Sequence, residues 1–377
     1  MRRLGTVFAS VATCLVLACG NRGNGSADPE PSVRLAIIGQ ALIEHDPRDY
    51  LDAPLSSVVP ILAAADAVFT NLEVAVSGPG CSCVPTRNDV FFHGAKPDVL
   101  DFLGEIGVSL LALSNNHSWD YGTEGILSTI AEAEARGLVH AGTGANISQA
   151  AAPAYLDLND FRLGLVSMAT VNSPEQARAT DSRAGVNMLD PGDSVAWDRN
   201  IAAVRTADSA ADAVLVYQHF QTDAEIGWQQ RWAQATIDAG GDIYISHGEP
   251  TLKGVEVYHG GLILYGLGNF IFHTRTELGR YPPDVWQSVI VEVSLGAEGV
   301  DEVTFTPVVL DKGTEGPSFL ETRGYPEVAE GALGQAILRR LIDLSIPYGT
   351  TMELVEGSAK LRIGDEAMRR GLEAGGA

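Results

Sequence analysis

Residues 108–113 are a nearly uninterrupted apolar run, and the heptapeptide Ser-Asn-Asn-His-Ser-Trp-Asp follows directly at residues 114–120. Such a run predicts a strand of a parallel sheet that is buried on both faces. Residues 122–133 repeat apolar side chains at helical spacing, so the heptapeptide connects a strand to a helix. Open α/β sheets bind ligands in this crevice beyond the carboxyl end of a strand. The heptapeptide is therefore a candidate site, although asparagines bonded to their own loop backbone would give the same pattern.

Four further predicted strands also end on polar side chains. These strands are the runs at residues 33–40, 66–73, 213–217 and 242–246. The polar side chains at or after their ends are Gln40, Asn71, Glu73, His219, His247 and Glu249. Because parallel strands present their carboxyl ends at one edge of a sheet, these groups are expected to converge with Asn116 and His117.

Helical patterns separate the strands in the first two thirds of the chain. They are predicted at residues 54–65, with a kink at Pro60, and at 97–106, 122–136, 195–209 and 227–239. Antiparallel strands then dominate, the longest at 286–295 and 300–310, before a helix near 331–345. This order predicts an α/β fold with one mixed sheet, or two packed sheets, flanked by helices. The polar segment 171–194 is predicted to pass over the site.

The residue types at the strand ends suit a metal-assisted hydrolase. Carboxylate, amide and imidazole groups from several loops can bind a divalent cation that activates a phosphoryl or carbonyl oxygen. A neighbouring histidine can transfer a proton to the leaving group. The alternative is structural, because His219 and His247 can be buried, hydrogen-bonded histidines and Glu73 can cap a helix. Asn269 fits a turn residue bonded to nearby backbone, whereas His45 is a candidate replacement ligand.

The charge of the chain restricts its partners. The 377 residues contain 25 Lys and Arg against 48 Asp and Glu, a formal net charge of −23. A chain this acidic is not expected to bind the phosphate backbone of nucleic acid. It is also an awkward receptor for a polyanionic polymer unless metal ions bridge the two.

The amino terminus predicts export. Two arginines precede an apolar run that is too short to span a bilayer, which is typical of a signal peptide over residues 1–18. Cys19 follows and is predicted to be the lipidated residue of a membrane-anchored lipoprotein of the bacterial cell envelope. Cleavage by a general signal peptidase, giving a periplasmic or secreted protein, is the alternative. Residues 19–32 are predicted to form a flexible tether.

Cys81 and Cys83 are the two cysteines of the predicted exported domain. An oxidising compartment would permit a disulfide between them, although the tight spacing makes a strained ring. A pair of free thiols is the alternative. Two sulfur ligands are too few to predict a metal site of their own.

Five motifs occur in a fixed order within about residues 33–275. They are Asn71-Leu72-Glu73; Asn115-Asn116-His117 with Asp120, Tyr121 and Gly122; His219 after a strand; a helix with Gln230, Ala233 and Asp238-Ala239-Gly240; and residues 254–272. Together they resemble the CapA family, the poly-γ-glutamate capsule synthesis proteins related to calcineurin-like metallophosphoesterases. The resemblance implies an α/β fold, a metallophosphoesterase-like sandwich of two mixed β-sheets flanked by helices. It implies that this domain spans residues 33–310, with residues 311–377 as an extension packed on it.

The resemblance also assigns roles to individual residues. The divalent metal ligands that it implies are Glu73, Asn116, His219 and His247. It implies that His117 is the catalytic proton donor, and it adds candidate site residues: Gln40, Asn71, Asn115, Asp120, Glu249 and Asn269. Two positions depart from the family pattern, since Gln40 replaces an aspartate and Pro250 replaces the last histidine. One metal ion is therefore expected rather than two, with Glu249 as a substitute ligand if its loop shifts.

The function that the resemblance implies is the synthesis, export or attachment of a capsular polymer such as poly-γ-glutamate, by metal-assisted hydrolysis or transfer. The expected partners are an envelope polymer or a small phosphorylated or amide substrate. Membrane contact is expected only through the lipid anchor, and no nucleic acid is expected. Two alternatives stay open: a catalytically degenerate member that binds envelope polymer or a partner protein, and a phosphoesterase unrelated to capsule.

Overall fold

A computed structural model describes residues 33–53, 55–221, 226–296, 299–311 and 319–364 of the chain. The predicted signal peptide, the tether and Cys19 lie outside these residues. The described residues belong to one compact unit, which spans residues 31–377. Within the described ranges, no helix combines the length and the apolar character needed to cross a lipid bilayer.

The fold alternates strands and helices and then continues mainly with strands. In chain order the strands are β1 (Val33–Ile37), β2 (Gln40–Leu42), β3 (Ala67–Asn71), β4 (Ala75–Val76), β5 (Gly94–Ala95), β6 (Val108–Ala112), β7 (Val139–Ala141), β8 (Thr143–Gly144), β9 (Ala154–Leu158), β10 (Phe161–Val171), β11 (Gly185–Val186), β12 (Ala213–Gln221), β13 (Ile243–Gly248), β14 (Val255–Tyr258), β15 (Gly261–Leu264), β16 (Asn269–Phe272), β17 (Gln287–Gly296), β18 (Gly299–Leu310), β19 (Pro326–Val328), β20 (Glu353–Val355) and β21 (Ser358–Arg362). The α-helices are α1 (Val59–Leu62), α2 (Asp98–Glu105), α3 (Gly122–Ala135), α4 (Ile147–Ala150), α5 (Ser194–Asp208), α6 (Ile226–Asp238) and α7 (Gly331–Ser345). Short 3-10 helices lie at Pro47–Asp49, Glu175–Ala177, Pro283–Trp286 and Ile346–Tyr348.

The first sheet contains strands from both the beginning and the end of the described chain. Its order is β20-β21-β18-β17-β1-β3-β6-β7, with β19 paired to β18. The neighbours β1, β3, β6 and β7 are parallel, whereas β17 is antiparallel to both β1 and β18. The described part of residues 311–377 therefore extends this sheet, in addition to packing α7 against β18.

The second sheet carries the other parallel strands. Its order is β14-β15-β13-β12-β10-β9, in which β10, β12, β13 and β15 are parallel and the two outer strands are antiparallel. Helices α5 and α6 cover its outer face, where Val204 and Trp232 pack with Val166 and Val216.

The two sheets pack face to face. Leu35 of the first sheet belongs to the same buried cluster as Leu215 and Ile245 of the second. The next residue in β1, Ala36, points to the opposite face and joins the cluster that contains Leu103 of α2. Both faces of the parallel strands are thus buried, which explains their nearly continuous apolar sequences. The predicted α/β fold, two mixed sheets flanked by helices, is confirmed.

The helix predicted at residues 54–65 is wrong in its length. Helix α1 covers Val59–Leu62 alone. Pro60 lies in its first turn, where a backbone N–H has no partner within the helix, so proline begins this helix instead of kinking it.

Asp242 makes the stability of the fold depend on pH. Its Oδ2 accepts a hydrogen bond of 2.8 Å from the backbone N–H of Val214, between two strands of the second sheet. Burial raises the pKa of Asp242 to about 6. Because the folded state holds this proton more tightly than the unfolded chain, stability present below about pH 4 is lost as the pH rises through about 6.

The Asp242→Asn variant is expected to remove this loss. Its free energy of unfolding should exceed that of the wild type by up to about 3 kcal/mol at pH 7 and should be nearly equal at pH 4. Urea unfolding at both pH values measures the difference. Asp212→Asn is the control, because Asp212 also accepts a backbone N–H, from Arg162, but is exposed. An equal gain at both pH values would contradict the prediction.

Candidate functional site

A cavity of about 240 Å³ lies beyond the carboxyl ends of the parallel strands. The residues of interest that line it are Gln40, Glu73, Arg87, Phe91, His93, Asn116, His117, Gln221, Gly248 and Pro250. They come from both sheets and from the loop at residues 78–93 (the 78–93 loop). His219 and His247 are buried next to each other, paired in register between β12 and β13. The two sheets therefore bring most of the predicted site residues to one place.

Asn71 and Asn115 hold the loops of the first sheet together. The Asn115 side-chain nitrogen donates to Asn71 Oδ1 at 3.0 Å and to the backbone carbonyl of Leu72 at 2.7 Å. Asn115 Oδ1 in turn accepts from the backbone N–H of His117 at 3.0 Å. Both amide oxygens thus accept hydrogen bonds within the protein, and the two residues hold the loops of the site in position.

Glu73 and His219 form the buried centre of the site. Glu73 Oε1 lies 3.6 Å from His219 Nε2. Burial raises the pKa of Glu73 well above its ordinary value, and the nearby charge of Asp120 raises it further. Burial lowers the pKa of His219 well below its ordinary value, and His247 and His117 add to the effect. An ionised carboxylate is costly here unless a cation accompanies it, which suits this pair to a metal ion.

The other ring nitrogen of His219, Nδ1, contacts two side chains on the side of the ring away from Glu73. Its Nδ1 lies 3.1 Å from the hydroxyl of Tyr217 and 3.5 Å from the side-chain nitrogen of Asn71. The Tyr217 hydroxyl can accept the Nδ1 proton, which is how the far nitrogen of a metal-binding histidine is held, whereas the Asn71 nitrogen is a donor only. Nε2 is consequently the nitrogen directed at Glu73.

Unpartnered atoms test whether a metal ion fits this set. Buried polar atoms nearly always have a hydrogen-bond partner. Fourteen buried side-chain atoms of the described residues have none, and five of these belong to the predicted ligands. They are Glu73 Oε2, Asn116 Oδ1, His219 Nε2, and Nδ1 and Nε2 of His247. Burial lowers the pKa of His247 to about 3, so its imidazole is neutral and able to bind a cation. Carboxylate, amide oxygen and neutral imidazole are all metal donors, and in chemical type the residues fit.

The same donors do not form a closed metal cage. Across the described residues, no group of three or more His, Cys, Asp and Glu side chains is arranged to hold a metal ion. Glu73 and His219 are the close pair, and the amide of Asn116 and the imidazole of His247 would have to complete the set. The described side chains therefore do not surround a metal position in this conformation.

Gln40 is engaged in a structural contact. Its Oε1 accepts from the backbone N–H of Gly248 at 3.2 Å, and its Nε2 donates to Asn269 Oδ1 at 2.8 Å. Asn269 donates onward to the carbonyl of Val285 at 3.3 Å. This chain of bonds ties β2, which pairs with β16, to the end of β13. The amide oxygen of Gln40 thus accepts a hydrogen bond within the protein.

The structure does not bring Glu249 to the cavity. Its carboxylate forms an ion pair of 2.9 Å with Lys253, and its side chain is 58% exposed. Pro250 lines the cavity instead and has no side-chain donor. The loop that would carry the second metal position therefore offers no ligand in this conformation.

Gly248 allows β13 to end at the site. Its φ is 127°, and a Cβ there would lie 2.3 Å from the carbonyl oxygen of Phe220. We expect Gly248→Ala to lower the free energy of unfolding by at least about 1–3 kcal/mol, because strain and clash add. It should also break the contact with Gln40. Urea unfolding measures the loss, with Gly296→Ala as control, since a Cβ at Gly296 meets nothing within 4 Å. Equal stabilities of the two variants would refute the prediction.

His117 and Asp120 form a carboxylate–histidine pair at the cavity wall. His117 Nδ1 lies 2.9 Å from Asp120 Oδ2, which also accepts the backbone N–H of His93 at 2.8 Å. Burial lowers the pKa of His117, and the hydrogen bond to Asp120 opposes that shift. Because the carboxylate accepts the Nδ1 proton, Nε2 is the nitrogen that can take or give a proton in the cavity.

A second carboxylate–histidine pair, Glu44 and His93, was not predicted. His93 Nδ1 lies 2.6 Å from Glu44 Oε1, and the His93 ring packs edge-on against His117 with centroids 4.4 Å apart. Glu44 also accepts from Arg275 at 2.8 Å. His93 lies in an irregular loop and meets Glu44 across 49 residues, so no local sequence pattern marks the pair.

The segment 171–194 does not cover the site, so that prediction is wrong. Part of it lines a separate cavity of about 320 Å³ with Thr170, and none of its residues lines the cavity of about 240 Å³. The 78–93 loop takes that place, and Cys81 and Cys83 within it form a disulfide. His45 also lies away from this cavity: its Nε2 contacts Tyr325 at 3.0 Å and its ring stacks on His273.

Comparison with known protein families gives one match that spans the site. The model described as "Bacterial capsule synthesis protein PGA_cap" matches residues 34–274. This is more than half of the 377-residue chain. The matched region contains all four predicted ligands as well as His117 and Asp120.

Individual relatives agree with this match. The uncharacterized protein y4sH of Sinorhizobium fredii is 23% identical over 432 aligned residues, covering 87% of this chain and 93% of the relative. The PGA biosynthesis protein CapA of Bacillus subtilis is 29% identical over 273 residues, 71% of this chain and 67% of the relative. A probable polyglutamine synthesis accessory protein of Mycobacterium tuberculosis is 28% identical over 223 residues, 55% of this chain and 56% of the relative.

Proposed function

This chain belongs to the bacterial capsule synthesis protein family PGA_cap, and we propose that it is a metal-dependent hydrolase or transferase of the cell envelope. Its substrate would be an acidic capsular polymer such as poly-γ-glutamate, or a precursor with a phosphoester or amide bond. The name of the Bacillus subtilis relative, a PGA biosynthesis protein, supports the polymer. The buried, unpartnered atoms of the predicted ligands support the chemistry and are the observation on which the proposal depends.

The site residues would have three separate roles: metal binding, proton transfer and positioning. Glu73, Asn116, His219 and His247 would hold one divalent ion. That ion would supply Lewis-acid activation of a phosphoryl or carbonyl oxygen. His117 would protonate the leaving group from Nε2, while Asp120 keeps the Nδ1 proton in place and stabilises the charged imidazole. Gln40 would keep the end of β13 in position through its bond to Gly248.

The amino-terminal residues would determine where in the cell the protein is located. Residues 1–18 would direct export, Cys19 would carry the lipid, and residues 19–32 would hold the domain away from the membrane. The alternative remains a periplasmic or secreted protein. Contact with the membrane would be limited to the anchor, and the net charge of −23 argues against nucleic acid as a partner.

A second candidate function is polymer or partner binding without catalysis. The amide of Gln40 is used within the protein, Pro250 supplies no ligand and Glu249 points to solvent. These features fit a family member that has lost one metal position. Such a chain would bind envelope polymer or a partner protein through the same cavity.

Metal content and turnover of the full chain separate the two functions. Elemental analysis after dialysis against trace divalent ions should give about one ion per chain. The same preparation should hydrolyse poly-γ-glutamate, γ-glutamyl-para-nitroanilide or bis-(para-nitrophenyl) phosphate in a chelator-sensitive manner. A metal-free, inactive chain that still binds poly-γ-glutamate would overturn the hydrolase in favour of the binding protein. Turnover of the phosphodiester alone would indicate a phosphoesterase outside capsule synthesis.

A further inference from the structure

Arg87 lies in the wall of the cavity on the 78–93 loop. Of the described residues that line this cavity, it is the one lysine or arginine. The loop is fixed at this point because the backbone N–H and the hydroxyl of Thr86 both donate to the carbonyl of Asp120, at 2.8 and 3.1 Å. The same residue, Asp120, orients His117. Arg87 is therefore held at a defined position next to the proposed proton donor.

Most of the hydrogen-bonding capacity of Arg87 is unused. Its hydrogen bond within the described part of the chain is a contact of 3.4 Å to the carbonyl of Phe91. Its Nε lies 3.9 Å from Asp120 Oδ1, beyond hydrogen-bond distance, and its side chain is 39% exposed. A guanidinium carries five N–H donors in a fork that matches two oxygens of one anion. The remaining donors are available to a molecule in the cavity.

The other nearby arginine has a different role. Arg275 donates to Glu44 at 2.8 Å, and Glu44 in turn contacts His93. Its charge is thus compensated within the protein. Both hydrogen bonds to Asp120, from His117 Nδ1 and from the backbone of His93, go to Oδ2, and Oδ1 forms the longer ion pair of 3.9 Å with Arg87. This ion pair is the long one at the site, so Arg87 can still donate to an anion in the cavity.

We propose that Arg87 is the carboxylate-binding subsite of this cavity and that it binds the α-carboxylate of a γ-linked glutamate unit. The inference rests on the proposed function, because that function supplies the acidic polymer. A chain with net charge −23 repels a polyanion, so a positive side chain at the site would add local attraction to that of the proposed metal ion. Arginine suits a carboxylate through two parallel N–H···O bonds, which lysine cannot form in the same way. Phosphate offers similar oxygens, and the test has to separate the two anions.

Binding measured by titration calorimetry on the full chain tests the subsite. The probe is a short γ-linked glutamate oligomer, compared with the same oligomer after methyl esterification of its α-carboxylates. We expect Arg87→Gln to weaken binding of the free acid at least about tenfold, and Arg87→Lys to weaken it less. The esterified oligomer should bind wild type and Arg87→Gln equally weakly. The matched control is Arg162→Gln, since Arg162 is 46% exposed and pairs with Asp157 at the opposite end of β10.

The outcomes distinguish this subsite from a structural role and from phosphate binding. Unchanged affinity of Arg87→Gln for the free acid, or equal affinity of wild type for acid and ester, would overturn the proposal. Inorganic phosphate that binds through Arg87 while the oligomer does not bind would assign the subsite to phosphate and would also overturn it. Metal content and turnover of the same preparations test the proposed function separately. Binding that depends on Arg87 without turnover would keep the subsite and reject the hydrolase.

Discussion

Replacement of His219 by alanine is expected to abolish metal binding by the full chain and with it any metal-dependent hydrolysis. His219 contributes an unpartnered Nε2 that lies 3.6 Å from Glu73 Oε1, at the buried centre of the donor set. Loss of a residue that merely orients a ligand weakens metal affinity 10–100-fold, so loss of the ligand itself should weaken it by at least about 100-fold. Glu73 would then be left as a buried carboxylate with no cation, which favours its protonated form.

Thermal unfolding in the presence of metal gives a readout that is independent of turnover. A divalent ion at 100 times its Kd stabilises the folded state by about 2.7 kcal/mol. Wild type should show this stabilisation with zinc or manganese, and His219→Ala should not. His259→Ala is the control, because His259 lies at an exposed hairpin and pairs with Asp238 at 2.9 Å. His247→Ala should resemble His219→Ala if both imidazoles belong to the set.

Two outcomes would contradict this view of the site. Equal metal-dependent stabilisation of wild type and His219→Ala would show that the ion binds elsewhere. No stabilisation of wild type by either ion, with unchanged folding of both variants, would leave the polymer-binding alternative. In that case the unpartnered nitrogens of His219 and His247 would be an uncompensated cost of the fold.

The positions of the strands could be predicted because they depend on local sequence. Strand β6 covers Val108–Ala112 of the predicted run, and residues 122–133 lie in the predicted helix α3. The predicted ends are less accurate, since β12 and β13 continue past His219 and His247 instead of ending before them. Apolar runs and helical spacing determine where such elements begin and end, and parallel strands place their carboxyl ends together. The meeting of Glu73, Asn116 and His117 at one cavity follows from that geometry.

The contacts of the site residues could not be predicted in the same way. The bond from Gln40 to Asn269 joins residues 229 positions apart, and that from Gly248 to Gln40 joins residues 208 positions apart. The first lies within the β2–β16 strand pair and the second joins β2 to the end of β13, and no local pattern records either contact. The outward direction of Glu249 likewise depends on its ion pair with Lys253, four residues later in the chain. Sequence therefore identifies the donors, whereas tertiary packing decides which of them remain available.

An acidic chain could bind the proposed acidic polymer if positive charge is concentrated at the site. Glu73 lies within the cavity wall, where burial favours its neutral form unless a cation is bound. Arg87 lies in the same wall and retains most of its donors. A polymer would then meet positive charge at the site itself and repulsion over the rest of the surface. Binding should weaken steeply with salt if this local attraction dominates.

The His117→Gln variant is expected to lower kcat toward the chromogenic substrates by about 100- to 10,000-fold, the usual contribution of a general acid or base. Asp120→Asn should lower kcat by about 10- to 100-fold, because it removes a charge-assisted hydrogen bond to the imidazole while its oxygen can still accept the Nδ1 proton. Metal content should stay unchanged in both variants, which separates proton transfer from metal binding.

The combination of the two substitutions shows whether Asp120 acts through His117. If Asp120 orients and stabilises the imidazole, the double variant will be no slower than His117→Gln alone, since the two residues act as a unit. Asp212→Asn is the control, as its carboxylate accepts a backbone N–H far from the cavity. Multiplicative losses in the double variant would instead mean that Asp120 acts separately, through the backbone of His93 or through Arg87. An unchanged kcat in His117→Gln would remove this histidine from the mechanism and leave His93, the other histidine in the cavity wall, as the proton-transfer group.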